Sequence, residues 1–121
     1  MEEMYKQVQE YLNMDDEIPF KEFRTYYQNV ISHFDENAEQ FSEDELWKGL
    51  FVAESIMSNA ENRAKEERNS SQAKKYRKMA DRTTMYAQYF TKQINQLGYG
   101  GEAIRERFEA MLEEGSKKED S

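Results

Sequence analysis

Two apolar stripes of the same spacing, one on either side of a short polar link, constrain this chain more than anything else in it. Over residues 42–68, Leu46, Leu50, Ala53, Met57, Ala60 and Ala64 recur in alternating steps of four and three, and over 71–98 so do Ala73, Tyr76, Ala80, Thr83, Ala87, Phe90, Ile94 and Leu97. The mean period of about 3.5 residues is that of a helical seam that faces a neighbour along its length. With only Asn69, Ser70 and Ser71 between them, the two arms are expected to lie antiparallel and bury their stripes against each other.

The flanking segments read as helices too. Met4, Tyr5, Val8, Tyr11 and Leu12 share one helical face, with Glu2 and Glu3 in the first turn where negative charge suits the helix dipole. A break follows at residues 14–19; Pro19 then suits the first turn of a second helix whose buried face is Phe20, Phe23, Tyr27, Val30, Ile31 and Phe34. Residues 35–41 read as a linker or frayed end. Ser42 with Glu45 has the form of a capping box opening the first arm. Gly49, inside that arm, marks either the close approach of another backbone or a kink. Gly98 suits the left-handed position past the end of the second arm. A last helix over about 102–114 presents Ile104, Phe108, Met111 and Leu112, with Gly115 as its stop.

The expected fold is therefore all-α: a bundle of about five helices built on an antiparallel hairpin with arms at about 43–68 and 71–97. Residues 1–115 form a single domain, and 116–121, which hold no apolar residue, form a disordered tail. Large apolar residues crowd the hairpin base while the turn end has mainly alanines. Arms of about 26 residues reach about 39 Å, longer than the diameter of about 35 Å of a compact chain this size, so the turn end is expected to project.

Charge singles out that end. The net charge of −8 divides unevenly, with 4 basic and 15 acidic residues over 1–62 but 8 basic and 3 acidic over 63–82. The basic set is Arg63, Lys65, Arg68, Lys74, Lys75, Arg77, Lys78 and Arg82. Lys65 and Arg68 suit the last turn of a helix, whereas Lys74 and Lys75 open the next one, where the dipole disfavours cations. Structure alone does not ask for them there, which makes these eight the candidate partner-binding residues.

Other chemistry finds little support. There is no cysteine, hence no thiol catalysis and no thiolate metal site, in keeping with a reducing compartment. His33 stands alone beside an apolar face and reads as structural, since a di-metal carboxylate site would need Glu-x-x-His pairs on two helices. Asp15, Asp16 and Glu17 lack the spacing and central glycine of a calcium loop and read as a solvated acidic loop. Tyr99, between glycines, reads as a cap on the core rather than part of a phosphate loop. No catalytic residue, cofactor or metal is expected. No window is apolar enough to span a membrane, and Glu2 and Glu3 stand where a signal peptide carries basic residues, so a soluble, cytoplasmic protein is expected.

These features favour a small non-enzymatic interaction, adaptor or regulatory protein that binds another protein through the basic hairpin tip or the acidic amino-terminal half, with a second copy of the chain as one possible partner. The alternative is a nucleic-acid-associated regulator, either with the tip on phosphates or with the acidic half imitating a nucleic-acid backbone. The acidic remainder of the chain and the lack of a helix-turn-helix pattern weigh against it.

Overall fold

A computed structural model describes residues 1–14, 17–68 and 70–120, without the side chains of 116–120. Five helices follow in order: α1 (Glu2–Leu12), α2 (Phe20–Asn37), α3 (Glu43–Glu66), α4 (Ser70–Gln96) and α5 (Gly101–Asp120), with a 3-10 turn at Ala38–Gln40 between α2 and α3. No strand occurs among the described residues. The chain is an all-α bundle, and α3 and α4 form its hairpin. Asn69, in the link, and Asp15 and Asp16, in the expected acidic loop, lie outside the described residues, as does Ser121.

The seams meet as their spacing requires. Leu46, Leu50, Ala53 and Ala60 of α3 are buried, as are Ala73, Tyr76, Ala80, Thr83, Ala87, Phe90 and Ile94 of α4. Thr83 is the one polar residue of this stripe, and its hydroxyl donates to the carbonyls of Met79 at 2.8 Å and Ala80 at 3.1 Å, so it enters the core without an unmet donor. Met57 and Ala64 are only half-buried, and Leu97 lies beyond the helix, 50% exposed.

α1 and α2 cover one face of the hairpin. α1 runs alongside α3 in the same direction, with Glu2 on Lys48 and the Tyr5 ring edge-on to Phe51 at 5.6 Å. α2 runs alongside α4, from Phe20 on Tyr76 at 5.2 Å to Phe34 on Phe90 at 4.9 Å. The chain therefore passes from α1 to α2 at the turn end of the hairpin and from α2 to α3 at its base. Phe20 and Phe23 reach Tyr76, so part of the alanine-lined end is sheltered, and the bare length is shorter than the arms alone imply.

Local signals fix the helix ends. The Ser42 hydroxyl accepts from Glu45 N at 3.3 Å while the Glu45 carboxylate accepts from Ser42 N at 3.1 Å, a complete capping box. At the end of α4, Gly98 has φ 103°, Gly98 N donates to the Asn95 carbonyl and Tyr99 N to the Ile94 carbonyl. This is a Schellman closure, which leaves Tyr99 edge-on against Trp47 at 5.2 Å.

Three expectations need correction. Residues 35–41 are not an open linker: α2 continues to Asn37, the 3-10 turn follows, and Phe41 stacks on Phe90 at 5.7 Å. Gly49 is approached by rings rather than a backbone, since a Cβ there would lie 3.2 Å from Phe90 and 3.3 Å from Phe41. Gly115 does not stop the last helix, which runs on to Asp120. Gly115 is instead where α5 crosses α1, a Cβ there falling 3.1 Å from Gln9 Cβ. Gln9 Nε2 donates to the Met111 carbonyl at 3.0 Å beside this crossing, and the Tyr5 hydroxyl donates to Glu114 at 3.2 Å.

Candidate functional site

The hairpin seam decides where the basic residues point. With Ala60, Ala73, Tyr76 and Ala80 turned inward, the positions between them face solvent: Lys65, Arg68, Lys74, Lys75, Arg77, Lys78 and Arg82 are all exposed. Lys65 lies in the last turn of α3, beside carbonyls without helical partners. The first turn of α4 holds no acid, and Lys74 and Lys75 follow directly. Among the described residues, Lys65, Arg68, Lys74, Arg77 and Lys78 form no ion pair; the Lys75 ammonium lies 5.9 Å from the Phe20 ring centroid. Glu17, Glu66 and Asp81 are exposed at the same end, and Glu67 there is half-buried.

Two of the eight candidates are engaged elsewhere. Arg82 Nη2 donates to Asp35 of α2 at 3.0 and 3.2 Å, and the Tyr86 hydroxyl donates to the same carboxylate. Burial, then that hydrogen bond, pushes the Tyr86 phenol up to about 12. Arg63 is buried, only 7% exposed. Its Nε donates to Asn59 Oδ1 at 3.1 Å and its Nη1 to the Tyr76 hydroxyl at 3.4 Å, and its guanidinium lies 4.5 Å from the Phe23 ring centroid. The sequence carried a signal for this, because Ile56, Ala60 and Arg63 continue an inward stripe at i, i+4 and i+7. The candidate surface is thus six residues, Lys65, Arg68, Lys74, Lys75, Arg77 and Lys78. Ammonium and guanidinium groups offer donors and no acceptor, so the groups that such a surface can pair with are carboxylates and phosphates.

The hairpin face opposite α1 and α2 is a shallow groove that sequence reading missed, running from Glu54, Met57 and Thr84 to Ala64, Arg77 and Asp81. Burial, then the charge of Glu61, holds the Glu54 carboxyl above its ordinary range. His33 is half-buried with its ring against Phe41 at 5.7 Å, and the Asn37 amide lies 3.4 Å from its Nδ1. Among the described residues, no group of three or more His, Cys, Asp or Glu is placed to hold a metal ion, and no helix is long and apolar enough to cross a membrane.

Comparison with known proteins adds no relative from which a role could be carried over: no protein-family model matches the chain, and no curated protein or solved structure matches it significantly.

Proposed function

We propose that this protein acts by binding rather than by catalysis, as a small helical interaction module whose hairpin end docks on an acidic surface of another protein. The observation that carries this reading is the set of five exposed cations, Lys65, Arg68, Lys74, Arg77 and Lys78, without ion pairs among the described residues. Two of the wider set, Lys74 and Lys75, stand just past the acid-free first turn of α4, where the helix gains nothing from cations, and a docking partner supplies a reason for them. The acidic half of a second copy, residues 1–62, has the charge such a partner needs. A cytoplasmic location belongs to this proposal and rests on composition.

The test is affinity capture from the native cell with the wild type beside a variant carrying Lys74→Glu, Lys75→Glu, Arg77→Glu and Lys78→Glu, each with and without nuclease. The variant should keep its helical circular dichroism and melt within a few degrees of wild type, since exposed charges near a helix start contribute at most about 1 kcal/mol each. It should lose a protein partner whose capture nuclease leaves intact. Partner loss on nuclease treatment, or affinity falling with salt at a logarithmic slope of about −0.9 per phosphate, would turn the reading to nucleic acid. A variant that retains every partner would show the end to be only a solvated turn.

A further inference from the structure

Between α1, α2 and α3, on the covered side of the hairpin, lies a cavity of about 130 Å³. An apolar cavity of about 150 Å³ is enough to hold benzene, so this one fits an apolar body of about that size. Its walls are the buried side chains of Val8, Ile18, Phe23, Tyr26 and Ile56, and its mouth is formed by Leu12, Met14 and Glu17, all exposed.

The polar groups in the wall are mostly committed. The Tyr26 hydroxyl donates to the Met4 carbonyl at 2.7 Å, and the Ser55 hydroxyl to the Phe51 carbonyl at 2.8 Å. Asn59 Oδ1 accepts from Arg63. Arg63 itself is the exception. A guanidinium has five N–H donors, and two of them are accounted for by Asn59 and Tyr76. Its contacts with the Phe23 and Tyr76 rings are cation–π contacts. Among the described residues no carboxylate pairs with it. A buried cation normally has an anion beside it, because desolvation of an unpaired charge is costly. Here the cation, 93% removed from solvent, lines a cavity instead.

We propose that this cavity binds a small monocarboxylate with a compact apolar body, its carboxylate taken by the free donors of Arg63 and its body by the apolar wall. One cation with Glu17 at the mouth favours a single negative charge over two. This site is separate from the hairpin end and does not depend on the docking role.

Benzoate is the probe of matching size, and benzamide is its neutral counterpart of nearly the same shape. In a titration of the full chain followed by methyl and amide NMR at neutral pH, benzoate should shift Val8, Ile18, Ile56 and Asn59 to saturation with a Kd of about 1 mM or below. Benzamide should bind at least about tenfold more weakly, since it brings no charge to Arg63. Arg63→Met should abolish the preference for benzoate. Should that variant not fold, the wild-type contrast between the two probes decides by itself. Shifts that do not saturate, equal affinity for both probes, or a folded Arg63→Met variant that still prefers benzoate would each overturn the proposal.

Discussion

Phe90 is fully buried, with Phe34, Phe41, Tyr86 and Tyr89 around its ring. Removing it should leave a hole that its neighbours cannot close, and Phe90→Ala should cost about 3–5 kcal/mol in chemical denaturation. Ala64→Ser, on the half-buried seam near the turn, should change stability by less than about 0.5 kcal/mol; losses of equal size at both ends would contradict the contrast between a heavy base and a light end. His33 offers a second test. Burial, and next the terminal ammonium, holds its imidazole below the ordinary value. The unfolded chain takes up a proton near pH 6.5 while the folded chain resists it, so this residue's contribution is level above that pH and falls as pH drops below it. His33→Gln should therefore lose less stability than wild type between about pH 7.5 and 5.5, and identical losses would place the imidazole in water. Which residues are inward was legible where spacing alone decides, as at Leu50, Phe90 and Ile94. It was not legible for Arg63, because a stripe at helical spacing says that a position is covered and a charge says that it is not. Only the rings of α2, brought over from elsewhere in the chain, settle that contest.

At the level of the helix, ends that depend on neighbouring residues were readable and ends that depend on distant ones were not. The Ser42 capping box and the Gly98 closure are local bargains between side chain, turn and backbone, and both stand where the sequence puts them. Ser42→Ala should accordingly destabilise the protein by about 0.5–2 kcal/mol. Gly115 looked the same in sequence but serves a helix crossing, and nothing within a few residues of it reveals α1 on the other side. Gly115→Ala gains about 1 kcal/mol in helix propensity but must push against Gln9 Cβ and Cγ, atoms close to the α1 backbone that cannot swing away. A net drop in melting temperature is expected, whereas Gly101→Ala, with open space around its Cβ, should be neutral or raise it. If both substitutions stabilise, α1 and α5 are not in close contact at that point. The open groove was hidden for a related reason: the seam period says that two helices meet, not which of their outer faces remain bare.

The whole molecule is a strongly polar object, acidic over residues 1–62 and basic over 63–82. If copies associate through this division, sedimentation should show the assembly dissociating as salt rises from low values to about 0.5 M, because exposed charges separated by more than about 8–10 Å are screened at physiological ionic strength. An assembly indifferent to salt would point to the open groove instead. The packing of α5 on α1 also bears on the order of events as the chain is made. The hydrogen bonds from Tyr5 to Glu114 and from Gln9 to Met111 join residues 109 and 102 positions apart, whereas the hairpin closes on a link of a few residues. Distant contacts bear the larger loop-closure cost and form late, and during synthesis α1 leaves the ribosome long before the helix that clasps it exists. α1 should therefore be among the last of these helices to become protected in pulse-labelling hydrogen exchange, waiting beside an already zipped hairpin for its counterpart to arrive.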